Sequence, residues 1–168
     1  MRIVVMGPSG SGKSTVGQAL ADATGARFVD GDDLHPPANV AKMSAGIPLD
    51  DDDRHPWLRL VGMTLGESDH MVIACSALRR RYRDLIRAEA PDVLFAELAI
   101  DRTVLEERMR TRAHFMPTSL LDSQLETLES LHPDECGVQI DGSAEVGEAV
   151  AHIADVARTT LPTSRRTA

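Results

Sequence analysis

Residues Gly7-Pro8-Ser9-Gly10-Ser11-Gly12-Lys13-Ser14 follow the apolar run Ile3-Val4-Val5-Met6 and precede the helix-like run Thr15-Val16-Gly17-Gln18-Ala19-Leu20-Ala21. The octapeptide fits G-x-x-x-x-G-K-[ST] between a strand and a helix, the setting of a phosphate-binding P-loop. In such a loop, glycines let backbone N–H groups close around phosphate oxygens. The lysine reaches the β/γ-phosphates, and the serine hydroxyl holds Mg²⁺. Gly7, Pro8, Ser9, Gly10, Ser11, Gly12, Lys13, Ser14 and Thr15 are therefore the expected nucleotide-binding residues, with Lys13 also catalytic and Ser14 a metal ligand. Only Lys13 and Lys42 among the 18 basic residues are lysines, which argues against a chance match. The chain is read as binding a nucleoside triphosphate.

A chain of 168 residues, 42% hydrophobic and 26% charged, has the size and composition of one globular domain with a real core. Its net charge of −8 argues against a nucleic-acid partner, which needs clustered positive charge to displace counterions. A small anionic substrate stays compatible, because a local arginine cluster focuses positive potential. Cys75 and Cys136 are too few for a disulfide framework. No apolar run reaches the length of a membrane span, and residues 1–6 lack the core of a signal peptide. A cytoplasmic protein with no membrane partner is expected.

Apolar runs at 2–6, 27–30, 70–75, 93–99 and, more weakly, 137–140 read as strands. Helical patterns fill 13–24, 37–45, 55–66, 77–89, 102–112, 118–130 and 144–160. Short continuous apolar strands alternating with helices predict a parallel sheet covered on both faces. The expected fold is thus α/β of the P-loop NTPase kind, a five-stranded parallel sheet with ligands at the strands' carboxyl ends. A single domain over 1–161 is expected, with a small lid near 109–125 and a frayed tail at 162–168.

The second strand ends in Asp30-Gly31-Asp32-Asp33. Strand alternation would set Asp30 and Asp32 on one side at the active edge, with Gly31 leaving room for a ligand. A carboxylate there can orient an attacking hydroxyl, accept its proton, or hold Mg²⁺. Asp32 is the expected base and, with Ser14, the expected metal residue; Asp33 fits the cap of a helix starting near Pro36-Pro37. The run at 71–75 ends in Cys75-Ser76 instead of a Walker-B aspartate, so the metal carboxylate is sought at Asp30 and Asp32. Asp50 to Asp53 read as a solvated face, and Pro56 as first-turn helix punctuation. Lys42, the sole lysine outside the loop, suggests a need for an ammonium point charge. Arg79, Arg83 and Arg87 form an i, i+4, i+8 stripe. Arg108 and Arg112, four apart before a helix break, suit a closing lid that brings cations to a transferring phosphoryl group.

The block from Asp30 through Leu58, with His35, Pro36, Asn39, Lys42, Met43, Gly46, Pro48, Asp51, Asp53, Arg54, Pro56 and Trp57 in place, resembles the signature of the small P-loop gluconate kinases. So do Cys75-Ser76-Ala77-Leu78-Arg79-x-x-Tyr82-Arg83-Asp84 and His114-Phe115-Met116 followed by Leu120-Leu121-x-Ser123-Gln124. Ala113, Leu125 and Pro133 depart from the family pattern. The resemblance implies ATP- and Mg²⁺-dependent phosphorylation of D-gluconate to 6-phosphogluconate. It also implies a fold similar to shikimate and nucleoside-monophosphate kinases, and a homodimer. On that reading His35, Lys42, Arg54, Trp57, Arg79 and Arg83 bind the substrate, and Arg108 or Arg112 closes over the phosphates.

Overall fold

The computed structural model describes residues 1–111 and 118–161, with side chains outside 109–120. Five strands, β1 (Arg2–Met6), β2 (Arg27–Asp30), β3 (Met71–Ala74), β4 (Val93–Ala99) and β5 (Gly137–Asp141), form one sheet in the order β2-β3-β1-β4-β5. Every neighbouring pair is parallel, with Val4 opposite both Ile73 and Phe95. A parallel sheet must bury both faces, and the alternation along β1 shows how. Val4 and Met6 pack with Trp57, Leu58 and Val61 of α3 (Asp51–Gly66) and with Tyr82 and Ile86 of α4 (Arg80–Glu89). Ile3 and Val5 face the other way, onto Val16 and Leu20 of α1 (Lys13–Thr24) and Val150 and Ile153 of α7 (Val146–Thr160). The remaining helices are α2 (Pro37–Ser44), α5 (Arg102–Thr111) and α6 (Thr118–Thr127). No helix of the described residues is long and apolar enough to cross a membrane.

All five expected strands are present, and three helix starts move, that of α7 by only two residues, to Val146. α3 begins at Asp51, four residues before the expected start, because the aspartate run is a helix initiator and not merely a solvated face. Asp50 accepts from the Asp53 amide (2.9 Å), and Asp53 accepts from the Asp50 amide (3.1 Å), a reciprocal capping box. Asp51, Asp52 and Asp53 place negative charge on the positive end of the helix dipole. Pro56 consequently lies inside the helix. α4 starts at Arg80 and not at 77, since Ala77 takes a positive φ of 41° that no helix accommodates. Asp33 caps nothing: it sits within a 3₁₀ turn (Gly31–Leu34) capped by Asp30, and α2 is preceded by Pro36. The expected lid overlaps residues 112–117, and the expected tail occupies 162–168; both segments lie outside the described residues.

Candidate active site

At the carboxyl end of β1 the backbone reverses through Gly7 (φ 144°), Gly10 (φ 85°) and Gly12 (φ 96°). A Cβ on Gly7 would meet Ser11 Oγ at 2.9 Å and the Leu98 carbonyl at 3.1 Å, so this turn admits no side chain. Gly12 precedes α1 without a side-chain cap, and no acidic residue occupies the first turn. The orphan amides and positive dipole end of α1 are thereby left to an anion. Lys13 opens the helix and folds back to donate to the Pro8 carbonyl (3.0 Å). The Ser9 amide donates to Oε1 of Gln124 on α6 (2.7 Å).

The loop separates two cavities. On one side Gly10, Gly12, Thr15 and Val16 line a cleft with Arg108, Gly142, Ala144 and Val146. Arg108 donates to the carbonyls of Ser11 (3.4 Å) and Gly142 (3.1 Å), bridging the loop to the turn after β5. On the other side Ser9 and Lys13 share a cavity with Asp32, His35, Arg54, Trp57, Ser76 and Gln124, walled by Met43, Ile47, Pro48 and Leu49. A nucleoside fits the first cleft and an acceptor the second, with the phosphates crossing the loop between them.

The acceptor cavity is held by an aromatic stack. Trp57 is buried and donates its indole N–H to the Gly31 carbonyl (2.8 Å), tying α3 to the end of β2. His35 stacks on it with ring centroids 4.0 Å apart. Asn39 Nδ2 lies 2.9 Å from the Asp53 carbonyl and 3.3 Å from His35 Nδ1, so it donates and Nδ1 accepts. The imidazole proton is then on Nε2, which faces Asp32 Oδ1 at 4.0 Å. Burial, aided by the Arg54 cation, pushes the His35 pKa down to about 4, and the ring is neutral at pH 7. Arg54 donates to the Tyr82 hydroxyl (3.1 Å), its one hydrogen bond among the described residues, which leaves most of its five N–H donors for the cavity.

Asp32 opens to solvent through the cavity mouth, its side chain 76% exposed, while protein atoms crowd the cavity floor around it. That crowding raises its pKa; Lys13 pulls it down, and Asp30 and Asp33 push it up. Asp30 goes elsewhere. β2 ends at Asp30 and the chain turns at once into the 3₁₀ turn, so strand alternation does not carry through to Asp32. Asp30 instead accepts from the Ser14 hydroxyl (2.6 Å) and the Asp32 amide (3.1 Å). The carboxylate in contact with the Ser14 hydroxyl is therefore Asp30, while Asp32, the expected metal carboxylate, stands apart from Ser14 in the cavity. Two hard oxygen donors in contact at the open edge suit Mg²⁺, which keeps several waters and takes one or two protein ligands beside phosphates.

Other expected site residues turn out to be structural. Arg83 is fully buried, with its guanidinium against Glu135 (2.7 Å from both Nε and Nη2) and the carbonyls of Ala77, Glu129 and Ser130. With its N–H donors so engaged, it cannot bind substrate. Lys42 clasps both oxygens of Asp53 at 2.6 Å and stands 3.7 Å from Asp50, so it joins α2 to the start of α3 and does not line the cavity. Arg79 lies just before α4 with its guanidinium 5.9 Å from the Tyr82 ring centroid, next to Arg54 and outside the cavity lining. Arg108, expected to close over the phosphates, lines the cleft on the other side of the loop from Asp32 and Arg54; Arg112 lies outside the described residues. Gly31 makes room for a strand and not for a ligand: a Cβ there would meet the Ala74 carbonyl at 2.6 Å. Gln124 and Ser76 are cavity residues that the reading of single positions passed over. Both stand inside the stretches that carry the family resemblance, which was the available signal.

A family model described as an AAA domain matches residues 3–131. The gluconokinase of Gluconobacter oxydans (strain 621H) is 47% identical over 145 residues, which span 83% of this chain and 82% of that protein. The crystal structure of a gluconokinase from Sinorhizobium meliloti 1021 superposes with a TM-score of 0.86 at 50% identity, covering 95% of this chain and 93% of that one. A shikimate kinase from Bacteroides thetaiotaomicron, 16% identical with a TM-score of 0.69 over 94% of this chain and 98% of its own, shares the fold. The chain belongs to the gluconokinase family of P-loop kinases.

Proposed function

We propose that this member of the gluconokinase family transfers the γ-phosphoryl group of ATP to the 6-hydroxyl of D-gluconate. One observation carries the substrate reading: Arg54, with donors to spare, and Asp32, a carboxylate beside the P-loop lysine, line the same cavity. The guanidinium can grip the C1 carboxylate with two parallel hydrogen bonds. Lys13 and the loop amides bind the β- and γ-phosphates, and Arg108 holds the nucleoside side. Asp32 orients the hydroxyl and takes its proton as the new P–O bond forms and the β–γ bridging P–O bond breaks, releasing ADP. Neutral His35, stacked on Trp57, presents its Nε2–H toward Asp32 from 4.0 Å. Ser14 and Asp30 would hold Mg²⁺, which when bound neutralises charge on the β- and γ-phosphate oxygens. A homodimer is part of the same reading, on the family resemblance, and a cytoplasmic location, on the sequence.

Coupled ADP release with gluconate, sorbitol, shikimate and nucleosides tests the proposal. Gluconate should be strongly preferred over sorbitol, which has the same hydroxylated chain without the carboxylate. Equal turnover of sorbitol would reject carboxylate recognition by Arg54.

A further inference from the structure

Resting on that kinase reading, we propose that Gln124 occupies the P-loop donor that the terminal phosphate of ATP must take, so that ATP displaces its side chain and ADP does not.

The argument starts from how the loop divides its amides. Gly10, Gly12 and Thr15 border the nucleoside cleft, whereas Ser9 borders the acceptor cavity with Lys13 and Asp32. A phosphate chain running from nucleoside to acceptor reaches Ser9 last. Its N–H is therefore placed for an oxygen of the γ-phosphate, while the β-phosphate lies over the amides leading into α1. In the structure that N–H is engaged by Gln124 Oε1 at 2.7 Å. The carboxamide is an internal substitute for the phosphate oxygen, neutral where the ligand is anionic.

Gln124 is held in place from behind. Its helix α6 buries Leu121, and Asp122 pairs with Arg102 of α5. The chain just beyond α6 is fixed where the Glu129 amide donates to the Leu78 carbonyl (2.7 Å). Among the described residues Gln124 Nε2 has no partner, so a single hydrogen bond from Ser9 retains the carboxamide. A charged phosphate oxygen makes the stronger, charge-assisted bond to the same amide and wins the exchange. Only a ligand that interacts differently with the two arrangements shifts their balance. ATP has such an interaction through its third phosphate, and ADP has none.

The test compares the dissociation constants of ADP and of a non-hydrolysable imidodiphosphate analogue of ATP, both with Mg²⁺, on the intact chain. Calorimetry or the fluorescence of the single tryptophan, Trp57 in the acceptor cavity, reports binding. Gln124→Leu keeps the bulk of the side chain but cannot accept a hydrogen bond. It should tighten the ATP analogue by roughly three- to ten-fold, the worth of one neutral hydrogen bond, with ADP unchanged within about two-fold. Gln124→Glu, an anion at the same amide, should weaken the ATP analogue by at least about ten-fold and ADP several-fold less. Parallel shifts for both nucleotides, no shift in either variant, or selective weakening of the ATP analogue in Gln124→Leu would each overturn the proposal. Thermal melts of the variants separate these outcomes from misfolding. An unmodified chain that binds neither nucleotide would instead sink the kinase reading itself.

Discussion

The acceptor cavity and the junction beneath α4 each hold an arginine, and they leave it in opposite conditions. In the cavity, Arg54 makes one hydrogen bond and keeps its other donors available. Beneath α4, Arg83 is wholly enclosed and bonds Glu135 and three carbonyls. Arg87 adds a second cation to Glu135 (3.0 Å). Burial alone would push the Glu135 pKa up, but hydrogen bonds from Arg83, the His132 amide and Arg87 overcome it and hold the carboxyl down to about 2. Two of the carbonyls that accept from Arg83 belong to the bend at Ala77 and the chain end beyond α6. The same bend sets Ser76 in the cavity wall, where its carbonyl accepts from the Gly7 amide (3.4 Å). A saturated arginine thus holds the frame from which the unsaturated one works. The difference teaches that a cation's remaining donors, not its presence, mark a binding residue.

The comparison breaks most visibly through Asp32, the carboxylate proposed to take the proton. Asp32→Asn should lower kcat by ~10²–10⁴-fold, the range for a general base, with ATP binding and melting temperature little changed. Because crowding and the neighbouring aspartates raise the Asp32 pKa, the acid limb of the wild-type rate profile should lie above the usual carboxylate range of about 4. A variant that fails because ATP no longer binds would make Asp32 a metal-shell residue.

Arg83 is the converse case. Arg83→Ala leaves a buried carboxylate without its main partner and should cost about 3–5 kcal/mol of unfolding free energy. Replacing both partners, Arg83→Met with Glu135→Leu, should recover most of that loss, since apolar groups of similar volume often substitute well for a buried ion pair. Chemical denaturation of the three variants measures it. If Arg83→Ala folds normally and loses only gluconate affinity, the assignment of Arg83 to the frame is wrong.

Arg54→Lys sharpens the cavity side of the comparison. Exchanging a planar fork for a point charge should lower kcat/KM for gluconate by roughly ten- to a hundred-fold, as expected for losing a charged hydrogen bond of ~1.5–3 kcal/mol, while KM for ATP moves little. An unchanged gluconate KM would pass the role to Arg79, the neighbouring cation on the Tyr82 ring.

Sequence periodicity resolves what is local and fails where a partner is distant. The five strands were legible because a sheet buried on both faces demands unbroken apolar runs such as Ile3–Met6. The P-loop was legible because its chemistry lies in consecutive residues. Arg83 was not: its partner Glu135 is 52 positions away, and the bend at Ala77 that it supports leaves no mark in composition. Lys42 was misread for the same reason, since Asp53 lies on another helix. The Asp30–Asp32 pair failed differently. Alternation holds within a strand, and the strand stopped at Asp30.

The smallest effect concerns the stack that the cavity is built on. His35 has its pKa pushed down to about 4 by burial and by Arg54, against about 6.5 in an unfolded chain. Between those two values the unfolded chain takes up a proton that the folded one refuses. Stability attributable to His35 is therefore fully present above pH 6.5, falls as the pH drops from 6.5 toward 4, and is level below that. One proton limits the slope to about 1.4 kcal/mol per pH unit. His35→Gln, an uncharged residue that still offers a donor toward Asp32, should flatten that part of the profile relative to wild type. The slope below pH 4, within the window from 4.5 down to about 2 over which the contribution of Glu135 is lost, should stay as it was. Urea unfolding at half-unit pH steps would show the difference. Identical slopes from pH 6.5 to 4 in the two proteins would mean that His35 takes up its proton in the folded state as readily as in the unfolded one, and the stack on Trp57 would then not be what keeps the ring neutral.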